Sequence, residues 1–393
     1  MDHPLYLFNP DHDLALANND KNFNPPLSAR TFAKDLACLP MWYASSGSVI
    51  AVMSLNEEWV EKMQRQFPPL RDIAIKIQSD FSTITSINPW GWNSAVCKRL
   101  AVQGFGSALL PETSRLSEIR RLSHRRTAIS ALQFLREETS LVGLLPLPAH
   151  ELFSEKEVAA FANCYPKVVF KAPWSGSGKG LCWSIDTMTE SRLGWCRNII
   201  EKQGSVVGEV IYDKVQDFAI EFSCQNGKVN FAGYSWFDTE RGIYRNNTLI
   251  SDEAILSRLT DKWITPQHLL TIQHQLLLFI EHEIAPFYTG LLGVDMFVFQ
   301  QNGEFLLHPC VEINLRMTMG CVARIFHDRF VHPSATGRFY IDHYPSAGNL
   351  WQDHLQRQAT LPLEVIDGRI TQGYLSLSPV TPLSHYRARV EIG

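Results

Sequence analysis

The sequence lacks the features that would direct the protein to a membrane, to export or to nucleic acid. Its 393 residues contain no run of about 18 apolar residues, the length that spans a bilayer. The first residues carry neither a basic segment nor an apolar segment of the kind found in signal peptides, so we expect a soluble, cytoplasmic protein. The formal net charge of −4 at pH 7 is too small to attract nucleic acid or an acidic membrane surface.

Cysteine patterns for disulfides or zinc are missing as well. The eight cysteines are scattered, with no Cys-x-x-Cys pair and no histidine at zinc spacing, so we expect buried, reduced thiols. Hydrophobic residues make up 45% and charged residues 19% of the chain, which is ordinary for a soluble globular protein. A chain of this length is expected to form two or three lobes.

The order of predicted strands and helices divides the chain into three parts. Short strands alternate with helices over residues 1–110, which predicts a parallel α/β domain on the substrate side. A basic, helical linker and a first lobe follow over 111–204. A second lobe with a C-terminal extension covers 205–393, so the expected fold class combines α/β with α+β. Residues 330–393 carry no motif, and they either complete the last lobe or form an oligomer contact.

A glycine-serine loop follows the predicted strand Val168–Lys171. Its alternate glycines allow backbone amide groups to turn toward an anion, and Lys171 can point at the same anion. The loop is neither a P-loop, because Lys179 is followed by glycine, nor a dinucleotide fingerprint, because Leu181 stands where a third glycine is required. The pattern predicts a phosphate cover, and a flexible hairpin tip is the alternative.

A β-hairpin is predicted near residue 300. The alternating strand Gly293–Gln300 leads into Asn302-Gly303, the strongest short signal for a hairpin turn, and Phe305–Asn314 is the return strand.

Three oxygen-bearing side chains lie on one face of this hairpin. With Asn302 and Gly303 as the turn residues, Asp295 opposes Cys310, and Glu312 is its diagonal neighbour, followed by Asn314. Such a row suits a hard cation such as Mg²⁺ better than zinc. Proline lacks the N–H that a ladder needs, so Pro309 marks a bulge or an edge that would shift this register.

A third polar element lies between these two. Glu209 interrupts an apolar strand, and the turn after Tyr212 has an acid at each end, Asp213 and Asp217. Backbone groups beside Glu209 could meet an adenine edge, while Asp217 could accept hydrogen bonds from ribose hydroxyls. A plain strand followed by a charged turn is the alternative.

In their order and spacing, these elements resemble the ATP-grasp superfamily of ATP-dependent carboxylate–amine and carboxylate–thiol ligases. The resemblance covers roughly residues 110–325. The N-terminal part is similar to the α/β domain that commonly precedes an ATP-grasp core, which is an analogy of fold. The matching positions are Arg126 on a helix start, Lys171, Glu209-Val-Ile-Tyr212, Asp217-Phe-Ala-Ile, Gly293-Val-Asp295 and Glu312-Ile-Asn314-Leu-Arg316.

The resemblance implies that two α+β lobes clamp ATP and Mg²⁺ between them. The family usually has a lysine at the first phosphate-binding position. This chain has arginine there, which leaves open whether Arg125 or Arg126 binds the phosphates. Arg316 would stabilise the transferred phosphoryl group or a substrate carboxylate. The remaining implied roles are phosphate binding by Lys171, a cover formed by Ser175, Gly176, Ser177 and Gly178, adenine contact by Glu209 and Tyr212, ribose contact by Asp217, and magnesium binding by Asp295, Glu312 and Asn314.

In the typical reaction of this family a carboxylate attacks the γ-phosphate, and an amine or thiol captures the resulting acylphosphate. No protein nucleophile is needed, in agreement with the absence of such a motif. We therefore hypothesise an ATP-dependent ligase of a small-molecule or peptide carboxylate, with Arg316 and Lys171 as catalytic residues. Neither nucleic acid nor a membrane is an expected partner, and a homo-oligomer is compatible with the sequence.

Two other classes stay open. A kinase-like ATP-grasp enzyme would phosphorylate a hydroxyl or a histidine, for which His308 and His327 are candidates, although structural roles fit both better. A silent nucleotide-binding protein is the second alternative. The polar segments that could contact the substrate are Asn9–Asp13, Asn22–Asn24 and Trp90–Asn93.

Overall fold

A parallel sheet forms the N-terminal part of the chain. The structure is a computed structural model that describes residues 3–77, 83–141, 143–176, 178 and 180–393. The sheet has the strand order β3-β2-β1-β4 with every pair parallel, which confirms the predicted α/β organisation. Its elements are β1 (Pro4–Leu7), α1 (His12–Asn18), α2 (Leu27–Asp35), β2 (Val49–Val52), α3 (Glu57–Gln66), β3 (Ala74–Ile77), β4 (Ser86–Pro89) and α4 (Ser94–Val102).

A small antiparallel sheet follows two linking helices. Its strand order is β5-β8-β6-β7, and the β6–β7 hairpin carries the glycine-serine loop at its tip. The N–H of Ala172 donates to the carbonyl of Gly180 at 2.8 Å and closes the base of this loop. The elements are α5 (Thr113–Leu122), α6 (Arg126–Arg136), β5 (His150–Leu152), α7 (Glu155–Cys164), β6 (Lys167–Lys171), β7 (Leu181–Ile185), α8 (Glu190–Gln203) and β8 (Val206–Val210).

A large sheet makes up most of the remaining chain. Its strand order is β13-β12-β9-β10-β11-β14-β17-β16-β15, so the C-terminal strands extend it and complete the last lobe. The elements are β9 (Asp213–Gln225), β10 (Lys228–Glu240), β11 (Ile243–Leu249), α9 (Asp252–Thr260), α10 (Pro266–Glu283), β12 (Gly290–Gln301), β13 (Glu304–Asn314), α11 (Met319–Phe330), β14 (Gly337–His343), α12 (Asn349–Thr360), β15 (Glu364–Ile366), β16 (Arg369–Ser376) and β17 (Tyr386–Ile392).

The β12–β13 hairpin follows the predicted register near its turn and departs from it farther along. Asn302 and Gly303 both have positive φ, 53° and 85°, as a type I′ turn requires. The register then shifts, because β13 carries two extra residues around Pro309. Asp295 is therefore directly opposite Glu312, so the predicted opposition to Cys310 was wrong.

Two hydrophobic cores flank the large sheet. On one face, α6 packs against the edge strand β13, and α9 and α10 pack against β9 and β10, with buried residues such as Leu132, Leu276 and Val294. On the other face, residues 36–44 of the N-terminal part share a core with α11 and the C-terminal strands. The N-terminal sheet and the large sheet are thus joined by a common apolar interior. Among the described residues, no helix has the length and apolar character needed to cross a membrane.

Trp42 lies at the centre of this shared core. Its side chain is fully buried, its ring centroid lies 5.5 Å from that of Phe67 and 5.2 Å from that of Phe330, and its indole N–H donates to the carbonyl of Leu377 at 2.7 Å. The tryptophan therefore connects the N-terminal part to α11 and to the chain that follows β16.

We expect Trp42→Ala to lower the free energy of unfolding by about 3–5 kcal/mol, because it opens a large cavity and leaves a buried carbonyl without a donor. Urea unfolding followed by circular dichroism measures this change. Phe153→Ala is a control, since Phe153 is 56% exposed. Equal stability of the two variants would contradict the shared core.

Candidate active site

Two carboxylates and an amide lie side by side at the inner end of the β12–β13 hairpin. Asp295 faces Glu312 across the strands, and the amide of Asn314 donates to Asp295 at 3.1 Å. Directly opposed residues have Cα atoms about 4.5–5.5 Å apart, closer than the diagonal spacing predicted from the sequence. Burial, followed by the charge of Glu312, raises the pKa of Asp295 well above its usual range. Positive charge at the row would therefore be needed to keep Asp295 ionised, and a bound cation would supply it.

Arg125, just before α6, supplies part of the missing positive charge. One guanidinium nitrogen lies 3.1 Å from Glu312, a second donates to Ser175 at 3.3 Å, and the third donates to the carbonyl of Ala172 at 3.0 Å. This side chain thus connects the row of oxygen ligands to the glycine-serine loop. Arg126 lies elsewhere, because it pairs with Glu151 at 2.8 Å and is about half exposed.

Lys171 occupies the end of β6, as the sequence indicates, and forms a buried ion pair with Glu209 on the neighbouring strand β8, at 2.5 Å. Burial alone would raise the pKa of Glu209, but the charge of Lys171 holds it below its usual range. The charges of Lys171 and Glu209 cancel, so this pair adds no net charge to the site. The ammonium group of Lys171 lies near Arg125.

A cavity of about 180 Å³ brings most of the predicted nucleotide-site residues together. In the wall of this cavity, Asp217 accepts hydrogen bonds from Lys214 and from Thr239, each at 2.6 Å. Tyr212, also in the wall, packs against Phe299 with ring centroids 4.4 Å apart. The structure therefore places Lys171 near Asp295 and Glu312, as the sequence predicted. The lining includes Arg125, Lys171, Gly178, Glu209, Val210, Ile211, Tyr212, Asp217, Thr239, Asp295 and Glu312.

The glycine-serine loop makes close backbone contacts that exclude larger residues. A Cβ on Gly176 would lie 2.1 Å from the carboxylate of Asp13, and a Cβ on Gly178 would lie 2.4 Å from the carbonyl of Gly242. Gly178 also has a positive φ of 72°, which favours glycine. Ser177, which was predicted to belong to the cover, lies outside the described residues.

A second cavity, of about 240 Å³, adjoins the first and shares the wall formed by Asp295 and Glu312. Arg316 lines it and makes a two-pronged contact with Asp13, with nitrogen–oxygen distances of 3.0 Å. Of the segments predicted to contact a substrate, Asn9–Asp13 and Trp90–Asn93 contribute Pro10, Asp13 and Trp90 to this cavity.

Sequence reasoning missed a third carboxylate, Glu221 on β9. It is 2% exposed, lines the second cavity and accepts hydrogen bonds from Thr318 at 3.3 Å and Cys321 at 3.0 Å. The signal was present, since Glu221 is a single charge between the apolar residues Ile220 and Phe222.

The two histidines considered as phosphoryl acceptors are both buried. His308 is 1% exposed and packs against Phe297, with ring centroids 4.8 Å apart. His327 lies on α11, beside Arg324 and Asp328. Neither side chain lines the two cavities described above.

The donor set of the row fits magnesium rather than zinc. Among the described residues, no group of three or more His, Cys, Asp or Glu side chains could hold a metal ion. Asp295, Glu312 and Asn314 supply two carboxylates and one amide, and Mg²⁺ is commonly held by one or two carboxylates together with water and phosphate oxygens.

The parallel N-terminal sheet, the small antiparallel sheet and the large sheet, with a cleft between the last two, define an ATP-grasp fold, as the order of the motifs predicts. Neither a protein-family model nor a curated protein sequence matches the chain. Solved structures do match it along its whole length.

Three of these structures show the extent of the likeness. N5-carboxyaminoimidazole synthetase from Staphylococcus aureus, solved with ADP, has a TM-score of 0.50 and 11% identity over 100% of this chain and 94% of that one. Biotin carboxylase from Campylobacter jejuni has a TM-score of 0.52 and 12% identity over 100% and 88%. The biotin carboxylase domain of 2-oxoglutarate carboxylase from Hydrogenobacter thermophilus, solved as a dimer with MgADP and bicarbonate, has a TM-score of 0.51 and 12% identity over 100% and 86%. Identities this low show the shared fold alone.

Glu221 gives the stability of the protein a specific pH dependence. Burial raises its pKa from 4.5 to about 7, so the folded protein keeps this proton up to about pH 7 whereas the unfolded chain loses it near pH 4.5. Between these values the contribution of Glu221 to the free energy of unfolding falls as the pH rises, by about 3 kcal/mol in total, and this contribution levels off above pH 7.

Glu221→Gln removes this titration, so the variant is expected to gain stability relative to the wild type as the pH rises from 4.5 to 7. Urea unfolding at a series of pH values measures the difference. Glu304→Gln, at the exposed hairpin tip, is expected to follow the wild type. Parallel curves for Glu221→Gln and the wild type would contradict the shifted pKa.

Proposed function

We propose that the protein is an ATP- and Mg²⁺-dependent ligase that activates a carboxylate as an acylphosphate for capture by an amine or thiol. One observation carries this proposal: two adjoining cavities share the wall formed by Asp295 and Glu312, with Lys171 on one side and Arg316 on the other. A nucleotide in the first cavity would present its γ-phosphate at this wall, where a carboxylate in the second cavity could attack it. The three solved structures described above were obtained with ADP, as a beta-gamma-ATP complex and with MgADP.

On the nucleotide side, the proposed roles follow the arrangement of the first cavity. Lys171 and Arg125 bind phosphate oxygens, with Arg125 in place of Arg126 because only Arg125 lines this cavity. The adenine lies along the backbone of β8 near Tyr212, and Asp217 accepts hydrogen bonds from the ribose. The loop with Ser175, Gly176 and Gly178 covers the phosphates, with its amide groups as donors.

Asp295, Glu312 and Asn314 would hold Mg²⁺, which supplies neutralisation of charge on the phosphates. Phosphoryl transfer depends mainly on positioning and on such neutralisation. The protein's own contribution is to fix the row by the direct opposition of Asp295 and Glu312 and to keep both carboxylates at the wall between the cavities.

On the substrate side, Arg316 is the proposed ligand of the reacting carboxylate or of the transferred phosphoryl group. This role is supported by the two-pronged contact of Arg316 with Asp13, since the same planar fork suits a carboxylate or a phosphoryl group of a ligand. Phosphoryl transfer to His308 or His327 has no comparable support, because neither side chain lines either cavity.

We expect Asp295→Asn to reduce Mg²⁺-dependent ATP turnover by about 1000-fold, because metal stabilisation of transition-state charge contributes several kcal/mol. Glu304→Gln, on the same hairpin but exposed, is the matched control and is expected to keep wild-type turnover. Turnover is measured as ADP release with a panel of carboxylic acids and amines. Unchanged turnover in Asp295→Asn would overturn the proposed metal row, and ADP release that does not depend on an amine or thiol would favour a phosphotransferase.

The two adjacent arginines provide a matched pair of variants. We expect Arg125→Gln to weaken binding of a nonhydrolysable ATP analogue about 10- to 100-fold, because charge-assisted hydrogen bonds contribute about 1.5–3 kcal/mol. Arg126→Gln is expected to bind as the wild type does, because its side chain faces Glu151 away from the cavity.

Isothermal titration calorimetry with Mg²⁺ present measures both affinities, and the melting temperatures of the free variants show whether each is folded. A larger loss of affinity in Arg126→Gln than in Arg125→Gln would contradict the assignment.

A further inference from the structure

Two cysteines of the small antiparallel sheet and its helix α8 lie against each other, and no role above uses them. Six of the eight cysteines are buried, as expected, but Cys182 on β7 is half-buried and Cys164 is exposed. Cys182 packs against the apolar core of the small sheet, and Cys196 of α8, which is 0% exposed, belongs to that core. The pair therefore joins a thiol that solvent reaches to one that solvent does not reach.

The periodicity of strand and helix explains why these two side chains meet. Along β7, Trp183 is exposed and Ser184 is buried, so Cys182, two residues before Ser184, faces inward as well. Helix α8 packs on β7, and Cys196 is the buried residue of this helix. Arg192 precedes Cys196 by four residues, which places both side chains on the same face of α8.

Hydrogen bonding and charge make Cys182 the more reactive thiol of the two. The thiol of Cys196 donates a hydrogen bond to Cys182. This hydrogen bond lowers the pKa of Cys182 below its usual value, burial opposes the change, and the charge of Arg192 lowers the pKa further. The thiolate is the form that reacts with oxidants, and reactive cysteines are typically partly exposed and close to a cation. Cys182 meets both conditions, and Cys196 is in place to react with it.

We propose that Cys182 and Cys196 form a peroxide-reactive pair that closes to a disulfide. The Cys182 thiolate attacks one oxygen of the peroxide, an S–O bond forms, the O–O bond breaks, and hydroxide leaves with the electron pair. The sulfur of Cys196 then attacks the resulting sulfenic acid, an S–S bond forms and the S–O bond breaks. The oxygen leaves as water with the proton of the Cys196 thiol, so the two cysteines lose two electrons and the peroxide gains them.

The disulfide would lie directly behind the wall of the first cavity. Leu181 and Trp183, on the opposite face of β7, line that cavity. The bond would therefore attach to α8 the strand that leads out of the glycine-serine loop. The proposal goes beyond the ligase function and is independent of it, because the pair needs neither nucleotide nor substrate.

Peptide mapping of the full-length protein tests this pair. The native chain is treated with hydrogen peroxide, its remaining thiols are blocked with N-ethylmaleimide, and it is digested with trypsin, which cuts after Arg192 and separates the two cysteines. We expect mass spectrometry to show residues 180–192 joined to residues 193–197, and dithiothreitol to release them. Cys164→Ser removes the exposed thiol and is expected to keep the link, whereas the same treatment in urea is expected to lose most of it.

Dimedone, which traps sulfenic acids, distinguishes the two sulfurs. In Cys196→Ser, peroxide and dimedone are expected to label Cys182, whereas in Cys182→Ser the thiol of Cys196 is expected to stay free. Circular dichroism shows whether each variant is folded. Free thiols at both positions in the peroxide-treated wild type would overturn the pair, as would an equal yield of the link in urea. Dimedone on Cys196 in place of Cys182 would overturn the assignment of the reactive thiol.

Discussion

The opposition of Asp295 and Glu312 across β12 and β13 is the interaction on which the rest of the site depends. Burial and the neighbouring charge of Glu312 raise the pKa of Asp295, so this carboxylate stays ionised only if positive charge lies nearby. The two extra residues of β13 around Pro309 create this arrangement, because without them Asp295 would face Cys310. An edge strand tolerates such a bulge, and β13 is the edge strand of the large sheet.

The surrounding positive charges come from different parts of the chain. Arg125 stands at the start of α6 and contacts both Glu312 and the glycine-serine loop. Arg316 follows β13 directly and is held by Asp13 of the N-terminal part. Arg125 and Arg316 thus connect separate parts of the chain beside the wall formed by Asp295 and Glu312. The aromatic core around Trp42 adds an apolar contact between the same parts of the chain.

The two cavities give this wall a different environment on each side. Arg125, Lys171 and Gly178 of the glycine-serine loop line the first cavity on the side facing the two carboxylates. In the second cavity Glu221 is buried, its pKa is raised to about 7, and Gly293 and Gly320 pack closely against its carboxylate. Asp295 and Glu312 belong to both cavities, so a ligand in either cavity would contact the same two carboxylates.

The sequence by itself determined the parallel N-terminal sheet, the Asn302-Gly303 turn, the loop after Lys171 and the order of motifs that indicates an ATP-grasp fold. These features depend on contiguous residues, through strand periodicity and the φ angles that turn residues allow. Only the tertiary structure decided that Asp295 opposes Glu312, that Arg125 and not Arg126 reaches the cavity, and that Glu221 accepts hydrogen bonds from Thr318 and Cys321. Those pairings join residues far apart in the chain, and their register and orientation follow from the packing of whole elements, which no local pattern encodes.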